Sequence, residues 1–453
     1  MLSVRVPVCA PQRARAAALS MGCATSKNAN QLQDDEAEKP STPRDVDLSV
    51  NEPVLLWLGH AEGLPSLDVL SESDVFVEAA LMSATGTALR KVKWPVKWDC
   101  NNPIWNSSRE LGKPTAGCKL VLSIYDHDEG PLAKASLIGT ASVKLSELVI
   151  GAAPTTLPVV LKGKGKKGST PQITIKRLHA EVAPPRKTIY LIRHGESVWN
   201  AAQANRDVVG MLSAVDHPLN ANGRAQAEKL AERIAEGGAD ADEFLRAQLV
   251  VCSPLTRAIQ TCLVGVAPLL GTHGTGSDRP RGHVLLNPNA REKRNFGGKD
   301  SSGQWFGKAI VDGIGRAMRE LYPAAAEADG AGRAERLLQV DFDLELVQMQ
   351  WWLGSKEAEE QVVERTAELL AQLRYCESTS IVVVGHSHYF RELFRSFMDA
   401  STVQQGSGMP DLQDLQQKKL MNCGVAAVDF DWALGDEKPI RGVRLLFGTE
   451  LVD

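Results

Sequence analysis

Between residues 51 and 180, short apolar runs return at regular spacing, separated by clusters of Gly, Pro, Asn and Asp. That pattern predicts the strands of a small all-β sandwich. Its strands are expected at Pro53 to Leu58, Val75 to Leu81, Lys91 to Val96, Leu120 to Tyr125, Ala141 to Leu145 and Gln172 to Ile175. After the proline-bearing linker 181–187 the period changes, and strands alternate with helices through residues 188–453. Thr188 to Ile192 and Ile381 to Val384 are β-branched and apolar throughout, as strands buried on both faces of a parallel sheet are. Ala227, Leu230, Ala231 and Ile234 share one helical face, as do Val362, Thr366, Leu369, Leu370 and Leu373. Val425 to Phe430 and Val443 to Phe447 read as closing strands. The expected architecture is multidomain: an all-β sandwich followed by an α/β domain with a central, mostly parallel sheet.

Composition narrows the classes. The chain has 453 residues, 43% of them hydrophobic, so a large core in two or three domains is expected. A net charge of −4 does not suggest a nucleic-acid partner. No apolar run reaches the roughly 18 residues of a membrane span. The eight cysteines are scattered without close Cys-x-x-Cys pairs, which fits a reduced, intracellular setting. Residues 1–50 show no foldable pattern. Arg5, Arg13 and Arg15 in an acid-free stretch have the composition of an organelle transit peptide. Alternatively, with translation starting at Met21, Gly22 fits an N-myristoylation site and Cys23 a palmitoylation site beside it.

The chemistry sits at strand ends. Arg193, His194 and Gly195 follow the Thr188 to Ile192 strand, with Glu196, Ser197 and Asn200 behind them. Ligands of open α/β sheets bind at that edge, so an arginine and an imidazole there suggest an anion site holding a nucleophile. A second block, Ser253-Pro254-Leu255-Thr256-Arg257, reads as a strand turning into a helix with Ser253 as N-cap and Pro254 at the first helical position. Such a helix start attracts phosphate, and Arg257 adds a fixed charge. A third strand ends at Gly385-His386.

Together with Asp216-His217-Pro218-Leu219-Asn220 and Gly223 ahead of a long helix, these blocks resemble the histidine phosphatase family, which includes the cofactor-dependent phosphoglycerate mutases. The resemblance covers residues 188–453. It implies that His194 attacks phosphorus to form a phosphohistidine, without a catalytic metal, and that Arg193, Arg257, His386 and Asn200 bind the phosphoryl group. It also implies a glutamate proton donor, for which Glu292 is the first candidate and Asp300 the second. Arg291, Lys293 and Arg294 beside it could reach further anionic groups or form a solvated basic loop. The stretch between Asn200 and Gly223 is longer than the family's usual one, which speaks against a standard mutase substrate. A phosphomonoesterase is therefore the leading expectation; a phosphoglycerate-type mutase and an inactive phosphate-binding protein are the alternatives. Expected substrates are phosphorylated small molecules, lipid headgroups or phosphoproteins.

The loops of the first domain carry their own signal. Gly63 to Asp68, Ser73 to Val77, Asn102 to Asn106, Tyr125 to Asp128 and Leu137 to Gly139 resemble those of a C2 domain, a membrane or protein docking module. That resemblance implies calcium ligation by Asp68, Asp74, Asp126 and Asp128. Ser136 stands where a fifth aspartate is usual, and Glu129 is a possible substitute, so a weakened calcium site and a calcium-independent docking domain both remain open. Lys162, Lys164, Lys166 and Lys167 form a basic loop, each lysine worth about 1 kcal/mol near an anionic leaflet. The expected location is peripheral, on the cytoplasmic face of an anionic membrane, with an organelle as the alternative if residues 1–20 act as a leader.

Overall fold

The computed structural model describes residues 52–67, 72–127, 135–163, 170–180, 184–212, 214–273, 282–294, 299–323, 330–352, 356–403, 410–435 and 437–453. Gly22, Cys23, Asp68, Asp128, Glu129, Lys164, Lys166 and Lys167 lie outside these residues.

The N-terminal domain is a β-sandwich. Its strands are β1 (Leu55–Glu62), β2 (Val75–Met82), β3 (Ala88–Lys93), β4 (Ile104–Glu110), β5 (Lys119–Asp126), β6 (Ser136–Lys144), β7 (Thr155–Pro158), β8 (Val160–Leu161) and β9 (Gln172–Leu178). One sheet has the order β4-β1-β9-β7 and the other β3-β2-β5-β6-β8. Inward residues such as Leu56, Leu58, Val77, Leu122, Ile124, Ile173 and Ile175 close a single core with Trp94 and Trp105. The alternation that predicts strands is therefore the alternation that fills the core. Strand β4 was not expected, because Asn106, Ser107 and Ser108 carry no apolar period. It forms as a sheet edge, held by its pairing with β1 and by the Trp94 indole donating to Ser107 O at 3.1 Å.

The second domain is built on a seven-stranded sheet. Its strands are β10 (Arg186–Arg193), β11 (Leu249–Cys252), β12 (His283–Leu286), β13 (Asp341–Asp343), β14 (Ser380–Gly385), β16 (Val425–Asp431) and β17 (Ile440–Leu446), in the order β13-β12-β11-β14-β10-β16-β17. A separate short pair joins β15 (Lys419–Leu420) to β18 (Leu451–Val452). Pairs from β13 through β10 are parallel, and β10-β16 and β16-β17 are antiparallel. Strand β10 begins at Arg186, two residues ahead of its apolar run. Lys187 is buried there, its ammonium donating to the carbonyls of Cys376 and Ser378 at 2.6 and 2.8 Å.

Both faces of the sheet are covered. Ala227, Leu230 and Ile234 of the helix Ala221–Ala235 pack with Ile259 and Leu263 on one side, and Val362, Leu369, Leu370 and Leu373 of the helix Glu359–Tyr375 pack on the other. The central parallel strands β10, β14 and β11 therefore deliver Arg193, Gly385 and Cys252 to one edge of the sheet. No described helix is long and apolar enough to cross a membrane.

Candidate phosphoryl-transfer site

Three turns leave that edge. The first carries Arg193 and His194, both buried. Its backbone is pinned on each side, with His194 N–H donating to Gly385 O at 3.0 Å and Asn422 Nδ2 donating to His194 O at 2.9 Å. His194 Nδ1 lies 2.6 Å from Gly195 O. A carbonyl only accepts, so Nδ1 carries the proton and Nε2 keeps its lone pair. Arg257 Nε donates toward that Nε2 at 3.3 Å. Burial first, and then the Arg257 and Arg193 guanidinium groups, hold the His194 ring well below its usual range, so it is neutral at physiological pH.

The second turn is Ser253 to Thr256, and here the sequence expectation fails. The helix starts at Thr256, not at Pro254, and Ser253 does not cap it. Ser253 Oγ instead pairs with His386 Nε2 at 2.8 Å. The cap comes from a distant residue: Asp216 accepts from Thr256 N–H at 2.9 Å and from the Thr256 hydroxyl at 2.7 Å. Asp216 is buried at φ 56° and its carboxyl is pushed up to about 6 by burial, with Thr256 and Arg257 opposing. Nothing local in the sequence marks this role.

Arg257 is then fixed by Asp300. Its Nη1 reaches Asp300 O at 2.7 Å and Oδ1 at 3.0 Å, and its Nη2 reaches Oδ2 at 3.2 Å. The structure thus brings Asp300 into the site as the partner of an arginine.

The third turn places His386 against the first histidine, with ring centroids 5.0 Å apart. Burial, then Arg257 and His194, hold His386 well below its usual range as well. His386 Nδ1 and Arg193 Nε are buried with no hydrogen-bond partner among the described residues. Buried polar atoms of native proteins are rarely left so, and an anionic oxygen is an acceptor suited to a donor there.

Glu292 is buried at the same edge, its Oε1 accepting from the backbone N–H of Tyr389 at 3.1 Å and of Lys293 at 2.9 Å. Its charge acts on Arg193, on Asp300 and on His388. Asn200 is half-buried, and its Oδ1 closes a capping box with Ser197 at 3.2 and 3.1 Å. The basic loop turns to the protein's own carboxylates. Arg291 is buried against Glu357 at 2.6 Å, and Glu357 also takes Arg365 at 2.8 Å. Lys293 pairs with Glu359 at 3.2 Å, and Arg294 with the Ser302 hydroxyl. His388 lies at the rim against Arg391, and Cys423 is a buried thiol raised to about 12 by burial.

Of the expected calcium ligands, Asp74 and Asp126 are described. Asp126 is buried and accepts from Ser73 Oγ at 3.0 Å and Asp74 N–H at 2.8 Å. Asp74 Oδ1 accepts from Asp99 N–H at 2.7 Å. Among the described residues no group of three His, Cys, Asp or Glu side chains is placed to hold a metal ion.

Residues 189–268 match the histidine phosphatase superfamily (branch 1), and residues 54–157 match the C2 domain. The chain carries a C2 domain followed by a histidine phosphatase superfamily domain. A probable phosphoglycerate mutase of Serratia proteamaculans (strain 568) is 31% identical over 147 residues, which are 31% of this chain and 60% of that protein. The match therefore spans less than two thirds of the relative's length. Among solved structures, a C2 domain of a plant extended synaptotagmin 1 is 22% identical, covering 28% of this chain and 93% of its own, with a TM-score of 0.24. An Escherichia coli K-12 protein provisionally assigned as an alpha-ribazole-5'-P phosphatase is 18% identical, covering 59% of this chain and 96% of its own, with a TM-score of 0.31. In the phosphatase-superfamily domain the matched residues include His194, Asp216 and Arg257; His386 and Glu292 come from beyond them.

Proposed function

We propose that this chain is a membrane-docked phosphomonoesterase acting through a phosphohistidine on His194. The observation that carries the reading is the neutral His194 ring, proton on Nδ1 and lone pair on Nε2, facing Arg257 Nε at 3.3 Å and packed against His386. Nε2 attacks phosphorus, the ester P–O bond breaks, and Glu292 gives its proton to the leaving oxygen. Water then attacks the phosphohistidine, the Nε2–P bond breaks, and Glu292 takes the water's proton. Arg193, Arg257, His386 and Asn200 bind the phosphoryl group, the first three at the equatorial oxygens, where the charge of a loose transition state is spread.

Acid-quenched single turnovers with a radiolabelled phosphomonoester test this. An acid-labile, base-stable label on His194 is expected, and activity across a panel of sugar, inositol, nucleotide and peptide phosphates should persist in EDTA. No label and no turnover on any member would overturn the reading. Dependence on a bisphosphate primer, with return of the phosphoryl group to product, would establish the mutase alternative, which the similarity to the Serratia protein supports.

For the C2 domain we propose docking to anionic lipid, assisted by calcium at Asp68, Asp74, Asp126 and Asp128 and by Lys162, Lys164, Lys166 and Lys167, with acyl chains on Gly22 and Cys23 as further anchors. Co-sedimentation with phosphatidylserine vesicles should rise severalfold with calcium and fall as salt screens the lysines. Binding that ignores both calcium and salt would overturn this part.

A further inference from the structure

The C2 domain meets the phosphatase-superfamily domain along one face of the helix Glu359–Tyr375. Arg365, Glu368 and Gln372 are spaced i, i+3 and i+7, so they share that face. Arg365 turns to the loop that carries Glu292. Its Nη1 donates to Asn289 O at 2.7 Å and Arg291 O at 3.0 Å, the second of these in the residue just before Glu292. Glu368, buried, takes Lys97 of the C2 domain at 3.1 Å. Gln372 holds both sides at once. Its Nε2 donates to Trp105 O at 3.0 Å and Asn106 O at 3.3 Å in the C2 domain, while its Oε1 accepts from Asn287 Nδ2 at 2.7 Å. Asn287 is itself buried and caps the turn Pro288–Ala290 that leads into Glu292.

We propose that the C2 domain is a working part of the catalytic site: acting through Gln372, it fixes the loop that presents Glu292, and Gln372 is a positioning residue for proton donation. This inference rests on the reading of Glu292 as the donor. The amide is suited to the task because one group must accept from Asn287 and donate to two carbonyls, and neither a carboxylate nor an apolar side chain does both. Proton transfer is steeply sensitive to placement, with about 1 Å of displacement worth about 10²-fold. The burden falls on substrates whose leaving oxygen needs the proton.

The test uses the full-length chain and the ratio of kcat/KM for p-nitrophenyl phosphate to that for glycerol 2-phosphate. Glu292→Gln should raise this ratio, and Gln372→Leu should raise it in the same sense, by about tenfold. Gln372→Glu retains an acceptor for Asn287 and replaces the donation to Trp105 and Asn106 by a carboxylate facing two carbonyl oxygens, so a raised ratio there assigns the effect to the C2 contact. Thermal unfolding checks that each variant is folded, and a shared ratio in the Glu292→Gln/Gln372→Leu double variant shows that both act on one step. A wild-type ratio in folded Gln372→Leu or Gln372→Glu, with Glu292→Gln shifted, overturns the inference alone. A wild-type ratio in Glu292→Gln overturns the donor reading and this inference with it.

Discussion

His194→Ala is expected to remove turnover, lowering kcat/KM by at least about 10⁴-fold, because under the proposed phosphohistidine mechanism it deletes the nucleophile and leaves only binding and electrostatics to act. The same variant should give no acid-labile phosphoprotein. The pH profile gives a second readout of this residue. Burial and two guanidinium groups depress the folded His194 below its unfolded value, so protonation, and with it loss of the nucleophile, is delayed to lower pH. An unperturbed imidazole would already be half protonated near pH 6.5. Activity on an aryl phosphate, corrected for the substrate's own ionisation near pH 6, should therefore hold from pH 7 down through pH 6. An acid limb centred near pH 6.5 would contradict the electrostatics described for the site.

Glu357→Ala should be the most destabilising single change outside the core, by about 3–5 kcal/mol in denaturant unfolding, because it strands two buried guanidinium groups. Burial alone would raise the Glu357 carboxyl, but Arg291 and Arg365 overcome it and bring the value down to about 2. A depressed folded value means that the carboxylate stabilises the fold fully above its unfolded range near 4.3. That stabilisation is then lost as pH falls toward 2. A shift of that size corresponds to about 3 kcal/mol. Unfolding midpoints between pH 5 and pH 3 should fall more steeply in the wild type than in the variant, and parallel curves would show that the triad does not bind its proton as described.

How much was legible beforehand follows from what each feature depends on. Strands β10 and β14 announce themselves because a strand covered on both faces is apolar at every position, and His194 and His386 are visible because they end such strands. The core face of the helix Ala221–Ala235 is equally plain from its period. Strand β4 was hidden because edge pairing to β1, not an apolar face, makes Ser107 and Ser108 extended. Local rules placed the helix start at Pro254, and the fold placed it at Thr256, because its cap is supplied by Asp216 from another segment. Arg291 lies in a basic run and so could be read as a ligand for anions. Its fate is decided by Glu357, whose side chain arrives from a different part of the chain.

The base of the long loop between His194 and the helix Ala221–Ala235 is closed like a drawstring. Ser197 bridges Leu219, Val198 N–H donates to Pro218 O at 3.0 Å and Asn220 N–H to Glu196 O at 3.1 Å. Asn220 and Asn222 grip the Glu196 carboxylate at 2.6 and 3.1 Å, and a methyl group on Gly223 would sit 2.0 Å from Glu196 O. Within the span so closed, the exposed Val208, Val209 and Leu212 can be exchanged without tugging on His194, whereas Asn200 and Asp216 are tied to the site. A lineage, or an engineer, has here a surface segment whose exchange is expected to leave the reacting atoms where they are.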